Sequence, residues 1–427
     1  MRRWLIGCGA VLLVGFIVCA GGLIWLFRPP RIEIPTRDYP PNNAYAEYRR
    51  IAEQMWATLD TDTRFKQAED ALLRDKPISE AERVYYLTRI EPYLKAYAPL
   101  TQLPSKAVYA YDINERFPEY AQMRRIARAE HYFIREALRR KRYPEALERM
   151  ERVNRLAEQI RTGSATFGYL VGVSLNTIAL APLREELPRI NDTETLERLI
   201  QIVRDYETRR TPFYKALEEE RYAILAIFAD IDQGKRTLSE LSPAMADTPE
   251  RRAVTRILVN LSLPEFHRMV ERQIQEARKP FHERDSSVFR EEPKQLLNAI
   301  LYPVSIHHLV SREAAEAATF RLIGCTAAIR LHRQRTGQYP PTLEALRLGE
   351  MAIDPFSGKP FCYQVDAQRG FLLYSVSENG VDDGGFVPYG GGTEPRGDLS
   401  AVFVRIPESL IDQKRDQRPL APPQWIR

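Results

Sequence analysis

Histidine and cysteine are residue types that bind transition metals, and this chain has six histidines and four cysteines. No HExxH pair is present, and no histidines or cysteines have the spacing of a zinc site. His307 and His308 precede Glu313 and Glu316, which raises the alternative of a metal cluster. Neighbouring residues of a helix point to different faces, so we expect surface or packing roles for these histidines.

The sequence lacks the short motifs that indicate a catalytic nucleophile or a nucleotide-binding site. Ser164, Ser174 and Ser262 lack the context of a nucleophile elbow, and neither GxxxxGK[ST] nor GxGxxG occurs. Carboxylates are abundant, but no pattern places two of them across a cleft, as glycosidase chemistry requires. We therefore expect no catalytic and no cofactor-binding residue. The sequence does not decide whether the protein is an enzyme, and it favours a protein without catalytic activity.

Composition describes a chain that folds and is not built for nucleic acid. The 427 residues are 44% hydrophobic and 28% charged, which suits two or three domains. The 62 basic and 57 acidic residues leave a net charge of only +5, so no nucleic-acid partner is expected. Four cysteines exclude a disulfide-built scaffold.

Residues 4–27 form an uncharged run of 24 residues, WLIGCGAVLLVGFIVCAGGLIWLF. About 20 apolar residues span a bilayer as a helix, so the run predicts a transmembrane helix. Trp4 and Trp25 lie near its ends, where indole rings favour the headgroup level. The run is longer than the apolar core of a signal peptide, although small residues at 20–22 leave cleavage as an alternative.

The charges that flank this run are nearly balanced. Arg2 and Arg3 precede it, and Arg28 and Arg31 follow it. A short basic tail before one long apolar run is typical of a signal anchor. We therefore predict a single-pass protein of the cytoplasmic (inner) membrane, with residues 1–3 inside and the bulk extracytoplasmic, as a periplasmic domain.

Residues 28–41 contain five prolines. Proline holds the chain extended, so this segment is predicted to be a stiff Pro-rich spacer. At about 3.1 Å per residue, it would hold the next domain up to about 40 Å from the membrane.

Residues 42–310 are poor in glycine and rich in Ala, Leu, Glu and Arg, a composition typical of helices. We predict an irregular α-helical bundle, with residues 163–188 as a closely packed core helix. Arginines alternate with glutamates at pairing distances along the helices, which indicates solvated, ion-paired faces.

Two amphipathic stretches, 121–141 and 144–160, predict a helical hairpin with proline in the first turn of its second helix. Tyr143, Ala146 and Leu147 match the start of the second helix of a tetratricopeptide repeat, which the hairpin weakly resembles. No second copy follows at a period of 34, so an ordinary αα-hairpin is the stronger interpretation.

The last part of the chain predicts a small α+β module over residues 311–406, followed by a polar, Pro-containing tail at 407–427. A helix from 311 to about 335 precedes strands at 361–365 and 371–376, with a third strand at 401–406. Glycine, proline and aspartate cluster between them, as turns require. The fold class is therefore mainly α, with an N-terminal transmembrane helix and a short antiparallel sheet near the end.

The motif order of this module is distinctive: GQYP at 337–340, LEAL at 343–346, DPFSGKP at 354–360 and LYSVS at 373–377. In this order the module, over about residues 311–404, resembles the soluble module of the type II secretion major pseudopilin. The chain lacks a prepilin-peptidase junction, and its apolar run lies about 280 residues upstream. The resemblance thus implies a module reused as a terminal domain. The whole arrangement resembles uncharacterised membrane-anchored bacterial proteins, which implies no activity.

The resemblance also implies a calcium-binding loop in the module. Calcium takes six to eight oxygen ligands, and this stretch offers carboxylate, amide and hydroxyl oxygens between adjacent glycines. The candidate calcium ligands are Ser377, Asn379, Asp382, Asp383 and Asp398. The alternative is an acidic turn that holds no ion.

Cys325 and Cys362 both belong to the module, one on its helix and the other on a strand. An extracytoplasmic location permits a disulfide between them. Two free, half-buried thiols are the default alternative.

Three functions follow as hypotheses. The first is a membrane-anchored envelope protein with a helical scaffold or partner-binding domain. The second is a membrane-tethered hydrolase with a site between helices. The third is a component associated with type II secretion or pilus assembly. In each case we expect unidentified protein partners besides the membrane.

Overall fold

The computed structural model describes the chain from residue 21 onward with gaps. The described residues are 21–22, 25–74, 76–111, 115–241, 249–302, 306–366, 370–382, 384–385 and 398–400, with the backbone alone at 238, 241 and 249–254. The protein is mainly helical with a small antiparallel sheet, which confirms the predicted class at that level. Most of the predicted transmembrane run, the predicted third strand at 401–406 and the tail at 407–427 lie outside the described residues.

Four of the described α-helices begin at residues whose side chains cap the first turn. In chain order they are α1 Ala44–Leu59, α2 Thr63–Leu73, α3 Glu80–Leu100, α4 Pro118–Arg139, α5 Tyr143–Arg161, α6 Thr166–Glu186, α7 Thr193–Arg209, α8 Phe213–Asp232, α9 Leu238–Leu241, α10 Pro249–Ala277, α11 Leu296–Leu301 and α12 His307–Thr336. Side chains of Asn43, Asp62, Ser79 and Asp192 accept hydrogen bonds from backbone N–H groups of α1, α2, α3 and α7. Gly337 ends α12 in the left-handed conformation.

Helices α4 and α5 form the predicted hairpin. The connection between them is three residues long, and Lys141 takes a positive φ of 57° within it. The Arg142 N–H donates to the Ala137 carbonyl and closes the turn at 2.8 Å. The hairpin is thus confirmed, and its tetratricopeptide likeness stays a resemblance.

Helix α6 lies at the centre of the protein and packs against α4, α5, α8 and α12. Within the described part of the chain, the stretch Thr166–Arg189 is the one helix long and apolar enough to cross a membrane. Most of its apolar window is buried against other helices. The structure therefore places it as the core helix that the sequence predicts.

Two hydrophobic cores share α6 and α12. Val171 and Leu175 of α6 belong to the first core, and Tyr169 and Val173 belong to the second. The first core also holds side chains of α1, α3, α4, α5, α7 and the terminal module, whereas the second joins α6 to α8, α10 and α11. The module helix α12 is thus packed into the same interior as the helical region.

The Pro-rich segment 28–41 has no helix or strand, yet it lies against the helical body. Arg37 carries most of this contact: its guanidinium donates to Glu219 Oε2 at 2.6 Å and to the Gly163 carbonyl at 2.6 Å. The same group also donates to the Tyr111 hydroxyl and the Ala107 carbonyl. Arg37 thus attaches the Pro-rich segment to the helical body, while its prolines keep the chain extended.

The sheet consists of β1 Cys362–Asp366 and β2 Gly370–Tyr374, which pair antiparallel with Cys362 opposite Tyr374. Both strands match the predicted ones to within two residues. An isolated bridge pairs Ser375 with Leu399 and brings the last described residues beside β2.

Candidate functional site

A buried group of charged and polar side chains joins α5, α6, α7 and α12. Arg161, only 1% exposed, donates from Nη2 to Glu316 Oε1. Asn176 Nδ2 donates to the same oxygen at 2.8 Å, and the Tyr206 hydroxyl donates to Glu316 Oε2 at 3.1 Å. The Glu316 carboxylate of α12 therefore accepts hydrogen bonds from three other helices.

The group extends toward the second core through two more glutamates. Arg161 Nη1 donates to Glu158 Oε1 at 2.7 Å, and the Thr211 N–H donates to the other oxygen of Glu158 at 2.8 Å. Glu313, one turn before Glu316, accepts from the Phe213 N–H at 3.0 Å and from Arg284 at 2.8 Å. We call Arg161, Glu158, Asn176, Tyr206, Glu313 and Glu316 the central ion network.

The low polarity around the central ion network shifts its acid–base behaviour. Burial raises the pKa of Glu158, although Arg161 donates to it. Burial works against the charged guanidinium of Arg161, but the Glu316 and Glu158 carboxylates outweigh it and raise its pKa. Burial likewise raises the pKa of Tyr206.

Gly172 of α6 makes room for the guanidinium. A Cβ atom at this position would lie 2.5 Å from Arg161 Nε. We expect Gly172→Ala to lower the free energy of unfolding by about 2 kcal/mol, because the added methyl group displaces Arg161. Urea unfolding measures this, and the cost should shrink in an Arg161→Met background. An equal cost in both backgrounds would contradict the proposed clash.

Two surface depressions are also lined by ionisable groups. One lies between α2, α3 and α4 and includes Arg83 and Tyr132. The other, of about 530 Å³, is lined by Arg49, Glu53, Trp56, Ala110, Glu115, Arg116 and Pro118. Trp56 is 48% exposed there, and Arg49 pairs with Glu115 at 2.8 Å. Tryptophan beside arginine is typical of protein interfaces. We call the second depression the Trp56 surface.

The structure separates the metal cluster that the sequence raised as an alternative. Glu313 and Glu316 belong to the central ion network, whereas His307 and His308 lie beside Glu378. One nitrogen of each histidine and an oxygen of Glu378 lie within 4.8 Å of one another. Sequence reasoning missed Glu378 because it is some 70 residues further along the chain.

His307 and Ser311 form a polar bridge between α12 and Glu378, in the segment after β2. Ser311 Oγ donates to Glu378 Oε1 at 2.5 Å, and His307 Nε2 lies 3.1 Å from that oxygen. Arg290 Nη2 lies 2.8 Å from the same histidine nitrogen. A metal ion would have to displace this guanidinium, so the geometry favours a bridge over a metal centre.

The polar bridge predicts a dependence of stability on pH. Burial, Arg290 and His308 lower the pKa of His307, against the opposite effect of Glu378. A folded pKa below the unfolded value means that stability falls as pH drops below about 6.5, by at most about 1.4 kcal/mol per pH unit. His307→Asn should reduce this slope in denaturant titrations at pH 5 to 7.5, and His332→Asn should not. Equal slopes in the wild type and His307→Asn would contradict it.

Asp354, in the DPFSGKP stretch, holds the turn of the terminal module to the end of β2. Its carboxylate is 1% exposed and accepts from the Phe356 N–H at 3.0 Å, Ser375 Oγ at 2.9 Å and the Val376 N–H at 3.1 Å. Burial raises its pKa despite these donors. The position of Asp354 between a predicted helix and a predicted strand indicates a turn, but its contacts to Ser375 and Val376 follow no sequence pattern.

The predicted calcium ligands are brought together in part. Asp382 Oδ1 accepts from the Tyr374 hydroxyl at 2.9 Å, and Asp398 Oδ2 accepts from the Gly385 N–H at 2.7 Å. The Gly384 N–H also donates to Asp382 Oδ1 at 2.9 Å, so the two carboxylates accept from the N–H groups of consecutive glycines. Burial and then both carboxylates raise the pKa of the Cys362 thiol. Asp382 and Asp398 are therefore the two predicted ligands that converge.

The other three candidate ligands have separate surroundings or lie outside the described residues. Asn379 Oδ1 accepts from the Val381 N–H at 3.0 Å and caps a local turn. Ser377 has a positive φ of 57° and donates from its N–H to Ser375 Oγ. Asp383 lies outside the described residues. Calcium binding stays a prediction.

The two cysteines of the module are free thiols in the structure. Cys325 Sγ donates to the Met351 carbonyl at 3.2 Å, and burial raises its pKa to about 12. Cys362 Sγ instead faces Asp382 Oδ2 at 3.9 Å. The two sulfur atoms thus face different neighbours, as expected for the two free thiols that the sequence leaves as the default.

Comparisons with known proteins find no match for this chain. No family model matches the chain, and neither a curated protein nor a solved structure matches it. The likeness to the pseudopilin module therefore remains a resemblance of motifs, and a function has to be inferred from the residues of this chain.

Proposed function

We propose that this protein is a single-pass, membrane-anchored scaffold whose helical body binds protein partners outside the cytoplasm. The observation that carries the proposal is the central ion network. Its members are the kind of perturbed, converging ionisable groups that mark an active site elsewhere, yet here they join helices, and all but Glu158 are at most 6% exposed. Such an arrangement supports a rigid body.

The Trp56 surface is the proposed place for a partner. A large exposed indole beside arginines provides buried apolar area and directional donors once a partner covers it. The ion pair between Arg49 and Glu115 holds the wall of the depression in place, so little ordering is needed on binding. The surface therefore suits a folded protein partner.

Affinity purification from crosslinked, solubilised membranes tests this proposal. Proteins that copurify with the wild type should be lost with Trp56→Ala and retained with Val84→Ala, which truncates another exposed apolar residue of a helix. Partners that survive Trp56→Ala would contradict the assignment of this surface. Recovery of secretion-platform proteins would favour the alternative that this scaffold is associated with type II secretion or pilus assembly.

Calcium is proposed as a stabilising ion of the terminal module. Asp382 and Asp398 would supply carboxylate oxygens, with Ser377, Asn379 and Asp383 as the further donors of the predicted set. At a hundredfold excess over its dissociation constant, a bound ion would stabilise the fold by about 2.7 kcal/mol. The ion would act on folding and take part in no reaction.

The purified full-length protein should accordingly melt at a higher temperature in millimolar calcium than in chelator. Asp382→Asn combined with Asp398→Asn should abolish the difference, because the two converging carboxylates lose their charge. Magnesium at the same concentration is the control for ionic strength. Identical melting of the wild type in calcium and chelator would leave an acidic turn without an ion.

A further inference from the structure

We propose that the middle of α10 and the start of α11 rest on the membrane surface, with Leu261 and Leu296 inserted among phospholipid headgroups. This inference deepens the proposed function and rests on its membrane anchor. It begins from Asn260, whose side-chain amide donates to the Leu26 carbonyl at 2.7 Å and to the Arg28 carbonyl at 2.9 Å.

These two carbonyls lie where the predicted transmembrane run ends. The last carbonyls of a helix have no partner within it, so an amide that binds two of them fixes the helix end to its neighbour. Asn260 is itself buried by this contact and belongs to α10. Ile32 then packs against the second core. The helical body is therefore attached where the anchor leaves the bilayer, and no spacer separates them.

Helix α11 is attached to the same part of α10. Asn298 Nδ2 donates to the Ser262 carbonyl at 2.9 Å and to Glu265 Oε2 at 2.8 Å, and the Gln295 N–H also donates to Glu265. These contacts place the first residue of α11, Leu296, beside the turn of α10 that holds Asn260.

Three large apolar side chains are exposed around this junction. Phe27 is 50% exposed, Leu261 40% and Leu296 50%. Each lies next in the sequence to a residue that makes one of the contacts above. We call Phe27, Leu261 and Leu296 the juxtamembrane patch. Burial in the headgroup region removes their apolar surface from water, as for interfacial amphipathic segments.

The charges near the juxtamembrane patch suit phospholipid phosphates. Arg28, Arg31 and Lys294 are exposed. The exposed acids closest to them in the sequence are Glu33, two residues from Arg31, and Glu292, two residues from Lys294. A bilayer is the occupant that fits, because the apolar run of residues 4–27 leads directly into the patch and brings lipid to it. Arginine and lysine at such a border reach phosphate while their stems cover apolar surface.

Photo-crosslinking of the full-length protein in phospholipid vesicles tests this seating. A benzophenone amino acid replaces Leu261, Leu296 or, as a matched control, Val84, which is also half-exposed on a helix. We expect lipid adducts at 261 and 296 and only background at 84. All three positions are exposed, so the replacements should not prevent folding.

Alkaline carbonate extraction of the same vesicles separates the two ways of failing. Protein that stays in the membrane without adducts at 261 and 296 would overturn the seating and leave the anchor intact. Protein that carbonate releases would overturn the anchor, and with it this inference. Adducts at 84 equal to those at 261 would also overturn the inference, since contact would then be unspecific.

Discussion

Replacing Glu316 by glutamine is expected to lower the free energy of unfolding by about 2–3 kcal/mol. The variant removes one of the two carboxylates that face the buried Arg161 guanidinium and leaves Glu158 Oε1, 2.7 Å from Arg161 Nη1, as the other. The hydrogen bonds from Asn176 and Tyr206 to the same carboxylate are also disturbed. Since Glu316 belongs to α12 and its partners to α5, α6 and α7, the loss spreads over the whole helical body.

Equilibrium unfolding in urea measures this effect, with Glu80→Gln as the control. Glu80 pairs with Arg83 on an exposed face, where an ion pair contributes about 0.2–1 kcal/mol. The triple variant Glu158→Gln, Arg161→Met and Glu316→Met should be more stable than Glu316→Gln, because it removes both carboxylates together with the guanidinium that they face. A cost for Glu316→Gln no greater than that for Glu80→Gln would contradict the structural role of the central ion network.

Arg37→Ala is expected to cost about 3 kcal/mol and to release the Pro-rich segment from the body. The guanidinium makes four hydrogen bonds that connect residues far apart in the chain, and its side chain is 8% exposed. Its loss leaves the Ala107 and Gly163 carbonyls without this donor. Without these contacts, the prolines keep the segment extended, but they do not hold it against the helical body.

Hydrogen exchange of residues 32–39, together with limited trypsin digestion, measures the release. The amides of this segment should exchange faster in Arg37→Ala, and cleavage after Arg31 should accelerate. Arg28→Gln is the control for charge, since Arg28 is exposed and its replacement keeps the cleavage site after Arg31. Unchanged protection in Arg37→Ala would mean that Ile32 and Asn260 alone hold the segment in place.

Local patterns were sufficient to predict the elements whose signals are local. The α4–α5 hairpin follows from two amphipathic stretches and Pro144, and the two strands follow from alternating apolar residues between turn signals. The apolar stretch of α6 is a core helix for the same reason: its residues are apolar around most of the helix and need cover on several sides.

Contacts between distant residues could not be predicted in this way. Arg161 and Glu316 are 155 residues apart, and both belong to helices in which arginine and glutamate usually pair on the surface. The prolines of 28–41 indicate extension but not docking, which depends on one arginine. Gly172 is the signal that could have been used, because a glycine within a helix often marks a close approach of another group.

The most direct test of a membrane-anchored extracytoplasmic scaffold is protease accessibility of the full-length protein in spheroplasts. The predicted topology leaves only residues 1–3 in the cytoplasm and tethers the body by residues 4–27. Added protease should therefore degrade the helical body and the module while a cytoplasmic marker stays intact, leaving a short membrane-embedded fragment. Complete protection of the body until detergent is added would contradict the predicted topology and place the scaffold inside the cell.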